Sequence, residues 1–234
     1  MRVNSFLRLA SLAGAIVAVP SLASAQLGGG VIVTPYVGAY MPTNHVAKTG
    51  VTSQGTSLPV DAKQQIGAAF GANVSYWINN HLAIEGGAAY SDSHLKSTSY
   101  VIDFAGTIPP ITQTENAHVW LGSAKVMTQL MPDESAFNMR FGIGPAIISH
   151  GGTAYKGDSD GKITGLTDYG AAVSLCTRIA FTPSVAMRLR AENYMYYSKM
   201  GWKSSIAPSE DLTFDSRLQH DFVLSAGLQL FLNR

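Results

Sequence analysis

Apolar residues recur at every second position along eight separate stretches of this chain, the spacing of strands with one face in an apolar medium. The stretch Arg217–Leu232 is the clearest. Its even positions read Leu218, His220, Phe222, Leu224, Ala226, Leu228, Leu230 and Leu232; its odd positions read Gln219, Asp221, Val223, Ser225, Gly227, Gln229 and Phe231. A helix would need apolar residues three and four apart, and that spacing fails here. In Val185–Lys199, Val185, Met187, Leu189, Ala191 and Met195 oppose Arg188, Arg190, Glu192 and Ser198. In Thr167–Phe181, Tyr169, Val173, Leu175, Ile179 and Phe181 oppose Asp168, Gly170, Ser174, Cys176 and Arg178. Phe137, Met139, Phe141, Ile143 and Ile147 likewise oppose Asn138, Arg140, Gly142 and Gly144.

The earlier stretches follow the same rule. Trp120, Ala124, Val126 and Leu130 oppose Ser123, Lys125 and Gln129. Leu82, Ile84, Ala88 and Tyr90 oppose Glu85, Gly87 and Ser91. Ile66, Ala68, Phe70, Val74 and Tyr76 oppose Gln65, Gly67, Gly71, Asn73 and Ser75. Val31–Met41 leaves its faces undecided, because Tyr36 and Tyr40 share a face with Thr34 and Gly38. The connectors alternate too. Asn79-Asn80, Pro132–Ser135 and Thr182-Pro183-Ser184 are tight turns with the expected Asn, Pro, Asp and Ser chemistry. Pro42–Lys63, Asp92–Glu115, His150–Gly165 and Gly201–Ser216 are long and polar. Short turns on one side and long loops on the other predict an all-β, eight-stranded, antiparallel, up-and-down transmembrane barrel with extracellular long loops and both termini at the turn side.

Residues Met1 to Ala25 are set apart from this pattern. Arg2 and Arg8 precede the mostly apolar Leu9–Val19, Pro20 and Ser21 break it, and Ala23-Ser24-Ala25 is a small-residue cleavage pattern. The expectation is a signal peptide over 1–25, cleaved before Gln26, and one barrel domain over 26–234. A spanning helix needs about 20 apolar residues, and no later run of the chain reaches 18.

Composition sharpens the choice of medium. Only 13% of the 234 residues are charged, about half the share of a soluble domain. Formal net charge is +1, which gives no basic field for nucleic acid. A single cysteine forms no disulfide framework. Alternation also fits a soluble, lipocalin-like periplasmic carrier with the apolar face turned inward around a ligand. The polar face argues for the membrane: it is mainly Gly, Ala, Ser and Asn, which suits a crowded lumen, whereas a wetted exterior calls for many Lys, Glu and Thr. Aromatic residues collect toward both ends, with Tyr76, Trp77, Phe137, Phe181 and Phe231 near the turns and Tyr90, Trp120, Tyr169, Tyr197 and Trp202 near the loops. They are expected to form two interfacial girdles.

The Thr34-Pro35-Tyr36-Val37-Gly38 opening and the closing Leu224-Ser225-Ala226-Gly227-Leu228 strand, set in this eight-strand pattern, resemble the small outer-membrane β-barrel superfamily. Its members include the OmpA transmembrane domain, OmpX and Opa-type adhesins. The resemblance implies a Gram-negative-type outer membrane, contact with lipid and lipopolysaccharide, insertion by the barrel-assembly machinery, and a monomer. Family members usually end on an aromatic residue; here Phe231 is followed by Leu232-Asn233-Arg234.

Counted up from the turns, Glu85, Lys125, Arg140, Arg178, Arg188 and Arg190 fall four to six residues into their strands, with Glu192 slightly higher and Asp221 near the loop end. Five basic and three acidic groups in one narrow lumen predict a salt-bridge network that plugs it, with Glu85 pairing one or more of Arg140, Arg178 and Arg188. An anion-selective constriction is the competing reading. No catalytic, cofactor-binding or metal site is expected. Gly157-Asp158-Ser159-Asp160-Gly161 matches G-x-S-x-G but lacks the strand-to-helix elbow, and as a calcium loop it lacks the distal Glu. His45, His81, His94, His118, His150 and His220 form no pair with metal-ligand spacing. His220, Asp221 and Ser198 near the rim carry no hydrolase motif, and Cys176 reads as a packing residue.

The function this supports is envelope structure or surface contact through the four long loops, with room for an extracellular ligand. In Asp92–Glu115, Val101-Ile102-Asp103-Phe104 and Ile108-Pro109-Pro110-Ile111 are unusually apolar, which fits either a contact surface or a self-packed hairpin. A narrow channel, or a conduit for small or hydrophobic molecules, is the alternative.

Overall fold

The computed structural model describes residues 30–45, 47–53, 56–99, 102–103, 106–107, 111–131, 137–156, 161–182, 185–204, 212–213 and 218–232. The segment read as a signal peptide, residues 157–160 of the glycine-flanked loop, most of the apolar loop positions, and the Pro132–Ser135 turn lie outside these residues. Eight long strands form a closed ring: β1 (Val31–Pro42), β2 (Gly67–Trp77), β3 (Leu82–Ser99), β4 (Ile111–Gln129), β5 (Phe137–Gly152), β6 (Thr167–Thr182), β7 (Val185–Tyr197) and β8 (Leu218–Phe231). Each pairs antiparallel with its sequence neighbours, and β1 closes the ring on β8 from Ile32↔Phe231 to Pro42↔Asp221.

The faces are those of a membrane barrel. Val37, Ile66, Phe70, Ile84, Val126, Ile143, Leu175, Leu224 and Leu228 stand outward and exposed. Asn73, Ser75, Glu85, Lys125, Arg140, Ser174, Arg178, Arg188, Arg190, Glu192, Asp221 and Gln229 point inward and are buried. The apolar face therefore does not turn inward around a ligand, as the soluble-carrier reading requires. β1 resolves its ambiguity in the same way: Pro35 and Val37 face out, while Thr34, Tyr36 and Tyr40 are buried inside.

Two girdle expectations are corrected. Trp77 and Phe231 do not face the interface. They point inward at the turn end, where Phe231 packs against a cluster of Ile32, Trp77, Ala83, Met127 and Cys176. Strand parity decides this: Trp77 shares the inward face of Asn73 and Ser75, and Phe231 that of Gln229. Tyr76 and Phe181 near the turns, and Trp120, Tyr169 and Tyr197 near the loops, do stand exposed on the outer face. The side chains of Phe137 and Trp202 lie outside the described residues.

The connectors on the turn side use side chains as predicted. Asn79 Oδ1 accepts both the His81 and Leu82 N–H groups at 2.8 Å, and Thr182 Oγ1 accepts the Val185 N–H at 3.0 Å. The loop side is more ordered than its polarity suggests. β3 and β4 stay paired from Leu82↔Thr128 out to Ser99↔Ile111, so Asp92–Glu115 is largely an extended hairpin. Ala47–Ser53 and Thr56–Gln64 form a second hairpin that joins it through Val60↔Ser99 to Gln64↔Leu95. Gly161–Thr164, Gly201–Ser204 and Leu212–Thr213 make a separate small sheet.

Pro145 has no N–H to donate, and the β4–β5 ladder skips from Ser123↔Ala146 to Val126↔Ile143 around it. Beside it Gly144 allows the two backbones to meet. A Cβ there would run into the Ala124 carbonyl oxygen and lie 2.8 Å from Lys125 Cα. These are backbone atoms of β4, which cannot yield as a flexible side chain would. Gly144→Val should therefore destabilise the barrel by more than about 3 kcal/mol, the top of the usual overpacking range. Gly86→Ala is the control, since a Cβ at Gly86 meets nothing within 4 Å. Refolding into detergent, read by the gel shift between unboiled and boiled samples, should yield folded G86A and little folded G144V.

Candidate functional site: the charged lumen

Alternation along β3, β4 and β7 brings charged side chains from opposite walls to one level, with the neutral Asn73 and Ser75 beside them from β2. Glu85 on β3 is the centre. Its Oε2 accepts from Arg188 Nη1 at 2.5 Å and from Ser75 Oγ at 2.7 Å. Its Oε1 accepts from Arg190 Nη2, and Lys125 Nζ stands 3.6 Å away. Glu192 is the second anion. Its Oε2 takes Arg190 Nη1 at 2.9 Å, and its Oε1 takes Lys125 Nζ and, at 3.3 Å, Ser123 Oγ. Asn73 Oδ1 accepts a further bond from Arg190 Nη1 at 2.8 Å. Lys125, Glu85 and Glu192 are each 1% exposed.

The other predicted lumen charges lie elsewhere. Arg140 sits 4.3 Å over the Trp77 ring and Arg178 5.1 Å over the Phe231 ring, both at the turn end. Each guanidinium thus covers an aromatic face, where cation–π attraction strengthens as water is excluded. Arg188 also donates from Nη2 to Cys176 Sγ at 3.1 Å. Asp221 lies above the belt, where its Oδ2 accepts from Tyr40 Oη at 2.7 Å and Tyr196 Oη at 2.9 Å. Buried tyrosines, alanines and aliphatic residues fill the level around it, among them Tyr194, Leu121, Ile148 and Val223.

Of the eight predicted charges, the structure brings five into one belt: Glu85, Lys125, Arg188, Arg190 and Glu192. Sequence reasoning missed its neutral members Asn73, Ser75 and Ser123 and the phenols of Tyr40 and Tyr196. Asn73, Ser75 and Ser123 carried the signal of lying on the polar face. His220 and Asp221 fall on opposite faces: His220 Nδ1 meets Asn193 Nδ2 at 3.2 Å, away from the Asp221 carboxylate. Adjacent residues of a strand point oppositely, so the two form no dyad.

No protein-family model and no curated relative matches the chain. Solved structures do. The outer membrane protein OprG from Pseudomonas aeruginosa superposes with a TM-score of 0.59 at 12% identity, over 88% of this chain and 97% of that one. The outer membrane protein AlkL, solved in lipid bilayers, superposes at 0.58 and 13% identity over 91% and 94%. The chain thus has the fold of the small outer-membrane β-barrels.

The belt sets three cations against two carboxylates, so removing one carboxylate leaves buried positive charge without a partner. Loss of one member of a buried pair typically costs about 3–5 kcal/mol. Glu85→Ala should lower stability by that order in equilibrium urea unfolding in lipid vesicles. E85A/R188A should recover part of the loss, because the second change removes one stranded cation. An E85A barrel as stable as the wild type would show that Glu85 does not brace the lumen.

Proposed function

We propose that this chain is an exported outer-membrane barrel whose lumen is sealed by its charge belt and whose role is envelope structure or surface contact through its loops. The observation that carries this reading is the near-complete burial of Lys125, Glu85 and Glu192 in the middle of the lumen. An open, water-filled channel would leave those ends accessible. Eight strands enclose a space that side chains fill, and here three large cations and two acids fill it. What remains for function is the outer end, where the paired strand segments 47–53, 56–64, 92–99 and 111–115 stand beyond the buried belt. Lipid and lipopolysaccharide would meet the apolar wall, the assembly machinery would insert the chain, and the barrel would act as a monomer.

The single cysteine tests the seal without any mutation. Cys176 is 3% exposed and lies inside with Arg188 against its sulfur. In the folded barrel it should resist a small methanethiosulfonate reagent, and it should label fully after boiling. Planar bilayers containing the protein should show no conductance above background. Rapid labelling of the folded form together with steady conductance would instead support the channel reading. If the lumen is sealed, excising residues 97–113 should weaken cell adhesion or serum survival while leaving the gel shift intact.

A further inference from the structure

Outside the lumen, above the aromatic girdle, the outward faces of β3 and β4 carry groups that neither the apolar wall nor the belt uses. Lys63 and Lys96 are register partners on neighbouring antiparallel strands. Both are exposed, whereas Ala62 and Gln64 beside Lys63 are buried, and Leu95 beside Lys96 packs inward against Ala117, Tyr155 and Met200. The two ammonium groups therefore leave the same outer face side by side. Like charges set directly opposite each other across a strand pair are destabilising, and an anion between them removes that cost. Among the described residues none does so. Neither lysine has an ion pair there, and Asp61, the next outward residue before Lys63, is taken by His45. The row continues onto β4 through Lys96↔Thr114, and the row below it is His94↔Asn116. Thr114, His94 and Asn116 are exposed as well.

The height of this face decides which anion fits. Lower down, Phe70, Tyr90 and Trp120 are register neighbours on β2, β3 and β4, and the Tyr90 and Trp120 rings lie 4.9 Å apart. Phe70 and Trp120 stand exposed, at the level where the hydrocarbon ends. Lys96 is six residues farther along β3. At about 3.3 Å per residue that is about 20 Å of strand, and about 14 Å of height at a tilt of about 45°. The headgroups of a phospholipid bilayer add only about 5–8 Å to each side of the hydrocarbon. The lysine pair thus stands above the reach of a phospholipid phosphate whose chains lie against the girdle. A lipid that carries its phosphates on a sugar headgroup does reach it. Asp92, the acid between the two levels, is the register partner of His118 and lies about 13 Å of strand below Lys96. We propose that Lys63 and Lys96 clamp a phosphate on the saccharide headgroup of lipopolysaccharide. Thr114 and Asn116 would donate to the same headgroup, and the acyl chains would lie against Phe70 and Trp120. This inference rests on the outer-membrane reading and adds to it one fixed lipid site, on the β2–β4 side of the barrel.

The test uses the full barrel in nanodiscs of a zwitterionic phospholipid. Backbone amide resonances are followed as a rough-type lipopolysaccharide with a phosphorylated inner core is incorporated. The same lipopolysaccharide stripped of phosphate, and phosphatidylglycerol at matched charge, are the comparisons. The phosphorylated form should produce saturable shifts at the amides around Lys63, His94 and Lys96, and neither comparison should. Lys63→Gln and Lys96→Gln should each weaken binding about fivefold, and K63Q/K96Q about twenty-five-fold, as expected for one and two lysines at an anionic lipid surface. Lys199→Gln, which removes an exposed lysine from the wall across the ring, should bind like the wild type. The gel shift of each sample reports separately whether the barrel is folded. A protein that never inserts would overturn the outer-membrane reading and the clamp together. In a folded, inserted barrel, absence of saturable shifts, equal shifts with either comparison lipid, or an equal loss in K199Q would overturn the clamp and leave that reading standing.

Discussion

Closing the ring is the constraint on which the rest depends. In an apolar medium a strand edge has no water to satisfy its N–H and C=O groups, so β1 must pair on both sides, with β2 and with β8. Closure at eight strands then fixes how much room lies inside. The inward residues are accordingly graded in size. Glycines at 38, 87, 142 and 144 lie where neighbouring backbone or side chains crowd the wall; Asn73 occupies the space at Gly87 and Met127 that at Gly142. A narrow ring needs a filling whose polar parts are matched to one another.

The belt is that filling, and its energetic meaning differs from that of surface ion pairs. Exposed pairs contribute about 0–1 kcal/mol, because water solvates each charge nearly as well as its partner does. Inside this lumen Ser75, Asn73 and Ser123 supply neutral hydrogen bonds to the charges. Each carboxylate oxygen of Glu85 and Glu192 receives a cation, so no oxygen is left to compete. Such a network need not make the barrel more stable than an apolar core of equal volume. It does make a wrong registration costly, because slipping a strand by one residue turns its charge into lipid.

Much of this architecture was legible in the residues, since period two states which side chain points where. Arg188 lies between Met187 and Leu189, and Arg140 between Met139 and Phe141, so the apolar outward face turns these charges inward. Parity also held the information that Trp77 and Phe231 face inward, but nearness to the turns suggested an interface. Which charges meet was not legible. Glu85 and Arg190 are 105 residues apart, and their contact follows from ring closure and strand tilt, which set the height of each side chain. Arg140 and Arg178 sit as few residues from the turns as Arg188 does, yet they stand over rings at the turn end. The paired outer halves of β3 and β4 were hidden for another reason. Outside the membrane both faces of a hairpin can be polar, and alternation disappears while pairing persists.

The same chemistry of inward acids is used in two ways along the axis. Glu85, low in the lumen, is surrounded by Arg188, Arg190 and Lys125, and its charge is spent holding walls together. Asp221, higher in the lumen, accepts from the two phenols of Tyr40 and Tyr196, and Asp168 accepts from the Lys199 backbone N–H. Around Glu85 the facing walls supply Arg and Lys; around Asp221 they supply phenols. The facing positions on β1 and β7 are Tyr40, Tyr194 and Tyr196 instead. The lumen is thus divided along its axis: carboxylates meet cations in the belt, and Asp221 meets phenols above it.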